Sequence, residues 1–531
     1  MTLGKKYRGS VRRAAMLCVA LFGMLSLYAQ EVYDMADIAF PELNGTARYV
    51  GSAGALDALG NELSSLSVNP ASIAGMHSNL MTMSMSMVSQ SATDKSRYGG
   101  RVHPSVDQFG VVYRLRNRLQ RTRRRFFIGF QYRKSRDFNQ ILRMDNVRLD
   151  GQASRVTATV EKSHADLQLN HVDGILLSTT LRPYTTLQPD GSVALSEDSL
   201  QGKDLTNLRS DSYSFDFNRW GYIGQYDFSF AWSLNDRLYM GACLQLHEVH
   251  YHSRMAYTER LLTDNVVEID EARKISGEGL GFLVGMIARP WRLVPLSIGL
   301  NLQTPIYYKL TNSTELGLMY DGVRQTVSLQ GGAADRYQTT YDYDFTTPWS
   351  YGISIGYVVR KRLSLGLAAQ MTNYAAMRPR RLTAYNTQNE SRSTGDAYMR
   401  DRVHDILRAV CTLRIGAEYL PAYRWRIRCG YNLVTPMYQS GSTRDYPMRS
   451  EQETIRTTAD NGVALAPDYY DNRSAVHRLA VGGGYIFPRL NIDMAYQLAG
   501  WRNRVRPFYG APIRTSYFIR HQLLVTLAYH F

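Results

Sequence analysis

The sequence has little that would mark a soluble enzyme or a helical membrane protein. Past residue 29 no stretch offers 18 consecutive apolar residues, which excludes a bundle of membrane helices. Cysteine is scarce, with four in 531 residues (Cys18, Cys243, Cys411 and Cys429), no CxxC and no Cys/His spacing. Neither a disulfide framework nor a metal site is therefore expected, and no cofactor is implied. Serines and histidines are present, but no local signature ties a nucleophile to a base, so no enzymatic activity is expected. The mean hydropathy of −0.31 is too polar for stacked apolar helices, while 44% hydrophobic and 11% aromatic residues are too many for a disordered chain.

What the chain does have is 37 Tyr, 41 Gly and an excess of basic residues, 62 Lys and Arg against 46 Asp and Glu. Five of the basic residues, Lys5, Lys6, Arg8, Arg12 and Arg13, precede an apolar run from Ala14 to Leu27. With Ala29 before Gln30, residues 1–29 read as a secretory signal peptide cleaved near Ala29; removing it takes five positive charges from the net +16.

The rest alternates with period 2. Met81, Met83, Met85 and Met87 alternate with Thr82, Ser84 and Ser86. Phe228, Phe230 and Trp232 share a parity opposite to Gln225, Asp227 and Ser229, and Ile353, Ile355 and Tyr357 are set against Ser354 and Gly356. In a soluble sandwich the apolar face would be the core. Here that face ends in aromatics and the other carries Gly, Ser, Gln and Arg, which fits a barrel in lipid: apolar outside, polar inside, aromatic belts at both interfaces. Short connections (234–237, 360–362, 421–423, 488–489) alternate with long polar ones (about 135–218, 253–278, 310–346, 376–404 and 438–475). This predicts about 14 strands over residues 79–531, an all-β transmembrane antiparallel barrel, with an even count that lets the last strand pair with the first. Placing the turn of the 406–433 hairpin at Pro421-Ala422-Tyr423 sets Glu418 opposite Arg426 and Tyr419 opposite Trp425. Leu523, Val525, Leu527, Tyr529 and Phe531 alternate to the last residue. The pair Tyr529 and Phe531 resembles the signal read by the outer-membrane barrel assembly machinery.

Residues 30–78 do not alternate. They carry Gly45, Gly51, Gly54 and Gly60, a helix-like stretch from Ala55 to Leu66, and Asn69-Pro70-Ala71. Ahead of a barrel such a piece is a candidate plug inside the lumen, with Pro70 presetting a turn and the Asn69 side chain bonding nearby backbone. The run from Gly45 to Asp57 followed by Ser67-Val68-Asn69-Pro70-Ala71 resembles the N-terminal hatch of the FadL/TodX family of outer-membrane transporters of hydrophobic compounds. The stretches Gly299–Tyr308, Thr347–Tyr351 and Ile415–Tyr419 resemble that family's strand motifs. The similarity runs from about residue 43 to 531. Ser72 departs from the Gly that many relatives carry there, and the stretch 135–218 has no match.

The resemblance implies passive uptake of a hydrophobic ligand, such as long-chain fatty acids or aromatic hydrocarbons, through a porin-like barrel with a mobile hatch. It places the protein in the outer membrane of a Gram-negative cell. From the residues themselves, Arg414, Arg426, Arg428, Arg114 and Arg133 have lumenal parity and could hold a carboxylate, or could balance Glu418 and Asp493. His247, His250 and His252 raise metal or haem capture, although on a strand His247 faces away from the other two. The basic run at Arg116, Arg118, Arg121 and Arg123–Arg125 suits an interfacial anchor on lipid headgroups rather than nucleic acid. The expected partners are a hydrophobic small molecule, outer-membrane lipid and the assembly machinery, around a monomer. The alternatives are an adaptor barrel of a secretion apparatus and a haem-binding receptor.

Overall fold

The computed structural model describes residues 32–91, 102–115, 125–164, 208–234, 237–291, 293–324, 337–385, 391–440 and 470–531, with short pieces between 173 and 195 and between 327 and 334. The stretch 1–29 expected to be a signal peptide, and Arg116, Arg118, Arg121, Arg123 and Arg124, lie outside the described residues.

Fourteen antiparallel strands form one closed barrel. They are β1 (Leu80–Ser91), β2 (Val102–Leu115), β3 (Arg125–Asp137, resuming as Gln140–Arg148), β4 (Ser210–Ser233), β5 (Leu238–Leu261) and β6 (Val266–Ala288). Next come β7 (Leu296–Gln303 and Tyr307–Tyr320), β8 (Tyr337–Thr346 and Ser350–Val359) and β9 (Leu363–Asn373 and Arg378–Tyr385). The circuit ends with β10 (Ala409–Ala422), β11 (Trp425–Val434), β12 (Tyr470–Arg473 and Val476–Ile486), β13 (Leu490–Arg506) and β14 (Arg514–His530). β14 pairs with β1 from Leu80↔His530 to Ser91↔Ile519, so the sheet has no open edge.

The expected parity holds around the barrel. Met81, Met83, Met85, Phe228, Phe230, Ile353, Val525 and Tyr529 are exposed on the outside, while Ser84, Gln108, Gln131, Asp227 and Gln245 are buried inside. The exposed apolar side chains form the lipid-facing surface of a transmembrane barrel.

Several expectations need correction, among them the long connections 310–346 and 376–404: the first holds strand to Tyr320 and again from Tyr337, and the second holds Arg378–Tyr385, Ser391–Gly395 and the helix Ala397–Ile406. The 406–433 hairpin turns at Tyr423-Arg424, with Ala422 opposite Trp425; a register shift then places Tyr419 opposite Ile427 and Glu418 opposite Arg428. The slip is two residues, so every side chain keeps its face. Residues 253–278, apart from the turn at 262–265, and both ends of 135–218 are strand rather than loop: β5 runs to Leu261 and β6 resumes at Val266, while β3 continues to Arg148 and β4 begins at Ser210. Strands of 24 residues extend about 80 Å, against an apolar band about 25 Å tall, so they stand well clear of the membrane. Out there the polarity of the two faces inverts. On β4 the inward positions Tyr213, Phe215 and Phe217 are buried, and Ser214 and Asp216 point outward. These inward side chains join Leu142, Met144, Tyr257, Leu261 and Ile269 in a core of their own, capped by helix α3 (Arg155–His164) through Val156 and Val160. α3 is numbered after two helices of the N-terminal segment.

That segment lies in the lumen. Helix α1 (Val32–Ala39) has Val32, Met35 and Ala36 at helical spacing and buries them, with Ile38 and Phe40, among Phe138, Tyr251, Tyr308, Tyr343 and Tyr374. Helix α2 (Ala47–Gly51) starts at Thr46, whose side chain accepts from the Tyr49 N–H. The helix-like stretch expected over Ala55–Leu66 is instead two 3-10 turns, Asp57–Leu59 and Ser64–Ser67, separated around Gly60; a third follows at Pro70–Gly75.

Candidate functional site

The lumenal segment is seated on glycines. Asn69 is fully buried; its Oδ1 accepts from the Ala71 N–H at 3.1 Å, and its Nδ2 donates to the carbonyls of Met286 (3.3 Å) on β6 and Leu300 (3.2 Å) on β7. One side chain thus starts the third turn and ties it to two strands. A Cβ on Gly285 would lie 2.0 Å from Asn69 Oδ1, and one on Gly241 would lie 2.5 Å from the Pro70 carbonyl carbon. A larger residue at either position would unseat Asn69-Pro70.

Charges fix the rest of the segment. Arg48 of α2 grips Glu418 of β10 with two N–H groups at 3.0 Å each. Arg428 of β11 donates to the same carboxylate at 2.6 Å and to Asp493 of β13 at 2.6 Å. Bidentate charge-assisted bonds of this kind set geometry as well as energy. Further out, Asp37 pairs with Arg219 (2.5 Å) and Arg136 (3.0 Å), Asp34 with Arg273, and Glu42 with Arg136 (3.2 Å) and Arg520 (3.1 Å).

Between this segment and the wall lies a cavity of about 110 Å³. Its apolar side is Ile38, Val68, Ile306, Tyr308, Val410 and Val434, and its polar side includes Arg133, Arg136, Arg414, Arg478, Glu42 and His247. The register aligns part of this lining in one row across five strands: Arg133 (β3) opposite Gln225 (β4), Gln225 opposite His247 (β5), His247 opposite Gly279 (β6), and Gly279 opposite Tyr308 (β7). A Cβ at Gly279 would fall 2.5 Å from the Tyr308 ring, so the missing side chain is what lets that ring lie across the wall. Tyr308 stacks on Phe345 (centroids 5.0 Å apart, 17°) and meets His247 edge-on at 5.7 Å.

The five arginines read from the sequence do not come together. Arg133 and Arg414 line the cavity; Arg133 donates to Gln225 at 2.9 Å, and Arg414 donates to Gln370 at 2.8 Å and lies 3.4 Å from Asp57. Arg428 belongs to the ion network that holds α2. Arg426, two residues away on the same face, is half-buried next to that network and does not line the cavity. Arg114 is exposed at the short-turn end, its backbone N–H bonded to the Asn79 side chain at 2.9 Å and its guanidinium 3.4 Å from the His77 carbonyl. Arg136 and Arg478 were missed. Arg478 sits on the lumenal parity of β12 and could have been read; Arg136 fell in a stretch assigned to loop. The histidines divide as period 2 requires: His247 faces the lumen, whereas His250 and His252 pack outward against Tyr222 and Trp220. Among the described residues no group of three or more His, Cys, Asp or Glu could hold a metal ion, and Cys243, Cys411 and Cys429 are free thiols. Tyr529 and Phe531 stack at 6.2 Å on the outside of β14, and the Phe531 N–H lies 3.3 Å from the Asn79 carbonyl.

No family model matches the sequence. No curated protein matches it either. Among solved structures the chain is similar to the toluene transporter TbuX of Ralstonia pickettii (14% identity, TM-score 0.46, covering 92% of this chain and 99% of that one). It is also similar to a FadL homologue of Pseudomonas aeruginosa (12%, 0.49, 93% and 99%) and to the toluene transporter TodX of Pseudomonas putida (12%, 0.44, 93% and 99%).

Proposed function

We propose that the protein sits in the outer membrane of a Gram-negative cell and admits hydrophobic small molecules passively, with residues 30–78 as its plug. The observation that carries this reading is the cavity: a half-apolar space bounded on one side by the barrel wall and on the other by the N-terminal segment, inside a barrel whose outside is apolar. An open porin needs no such space, since its lumen is water-filled. Here the lumen holds polypeptide tied down by hydrogen bonds and ion pairs, so a solute passes only when part of that segment moves. Aromatic hydrocarbons and long-chain fatty acids both belong to the class of cargo. A ring or a short piece of chain fits the cavity as it stands, and a full-length acid passes through only with the plug displaced.

Planar-bilayer conductance of a chain lacking residues 30–66 tests the plug. The truncated barrel should fold, conduct small ions well above the intact protein, and lose selective uptake of a hydrophobic solute into liposomes. Conductance as low as that of the full chain would show that the N-terminal segment is not what closes the lumen.

A further inference from the structure

We infer that the lumenal cavity is a binding site for a small aromatic carboxylate: one ring against Tyr308, its carboxylate between Arg133 and His247. The inference rests on the uptake reading above and narrows its cargo.

The row across β3–β7 supplies the recognition. At one end is a buried cation. Arg133 is 5% exposed and spends one N–H on the neutral Gln225, while its Nε has no hydrogen-bond partner among the described residues. Two strands along, His247 is 7% exposed, lines the same cavity, and neither of its ring nitrogens has a partner among the described residues. At the other end Gly279 removes a side chain and Tyr308 presents a ring held by its stack on Phe345. A ligand matching this row has an anionic, acceptor-rich head and a flat apolar body one ring away.

Charge points the same way. Of the four arginines that line the cavity, Arg136 is answered by Asp37 and Glu42 and Arg414 by Asp57, whereas the hydrogen bonds of Arg133 and Arg478 go to the neutral Gln225 and Asn432. These nitrogens are closed off as the side chains lie; a rotation of the Arg133 guanidinium and the His247 ring toward the cavity gives a carboxylate donors to accept from, whereas a hydrocarbon offers them no acceptor. The space is nearer the scale of a single ring than of an extended acyl chain: about 110 Å³, against about 150 Å³ for an enclosed cavity that holds benzene.

The test uses the full-length protein in detergent, with benzoate and toluene as separate probes in titration calorimetry. Benzoate should bind the native protein. Arg133→Met should weaken it about tenfold or more and His247→Leu about threefold or more, with toluene affinity not reduced in either. Heat-modifiable migration confirms that each variant is folded. If Arg133→Met does not fold, Gly279→Ala serves instead: its Cβ pushes Tyr308 into the cavity and should weaken benzoate and toluene alike. Toluene binding without benzoate binding would overturn the inference and leave the uptake reading intact, as would benzoate binding that none of the variants affects. Binding of neither probe, together with no toluene uptake into liposomes, would remove both.

Discussion

The two ends of β4 and β5 are the same strands in different solvents. Near the short turn that joins them, Phe228, Phe230 and Leu246 face outward and are exposed, while Asp227 and Gln245 face inward and are buried. Toward the other end the inward positions become Phe215, Phe217 and Tyr257, and the outward ones become Ser214, Arg254 and Arg260. The pairing runs on unshifted from Ser212↔Arg260 to Ser233↔Tyr239. The register between the two strands does not change; the surroundings do. Lipid selects apolar side chains on the outside of the lower half, and water selects polar ones on the outside of the upper half, whose interior must then supply the apolar core.

Labelling gives the sharpest break between the halves. In a background without the native cysteines, Leu246→Cys and Arg260→Cys lie on one face of β5. The second should react fully with a water-soluble thiol reagent and the first only with a lipid-soluble one. Equal reactivity with the water-soluble reagent would refute the inversion. Next in size, Phe215→Ala empties the upper core and should cost about 3–5 kcal/mol in denaturant unfolding in detergent, because Phe215 is 1% exposed there. A charge on the lower outside, Phe228→Arg, should cost about 2–4 kcal/mol in lipid vesicles if the site lies near the bilayer midplane. The same charge on the upper outside, Thr258→Arg, should change stability by no more than about 0.5 kcal/mol. Comparable losses for the last two would mean that both positions see the same medium.

The inversion also explains what the sequence concealed. The strands were readable where the apolar parity faced lipid, as from Met81 to Met87 and from Leu523 to Phe531. From about residue 253 to 278 that parity is occupied by Arg254, Thr258, Glu268 and Lys274, so the stretch passes for a polar loop unless the opposite parity (Tyr257, Leu261, Val267, Ile269) is followed. The two-residue slip at Tyr423-Arg424 was hidden by Pro421, which marks a turn by propensity yet lies within β10. The fold was legible because period 2 survives such slips. The site was less so. Parity gave Arg133, Arg414 and the isolation of His247 from its neighbours, but parity carries no height, and height separates Arg133 from Arg114. The lumenal glycines were visible as a polar-face bias; that Gly241 and Gly285 are seats for Pro70 and Asn69 needed the segment in place.

The seam between β1 and β14 has a consequence for the order of events in biogenesis. The Ala47 N–H donates to Thr526 Oγ1 at 2.7 Å across 479 residues of chain, Gln522 donates to Asn44 at 3.2 Å, and Arg520 holds Glu42. The strand that closes the barrel against β1 thus also carries the clasps for the N-terminal segment. Pairing β14 with β1 and seating that segment draw on the same strand, so closing the wall and closing the lumen are coupled. A segment excluded until the wall had closed would have to be threaded lengthwise into a finished cylinder.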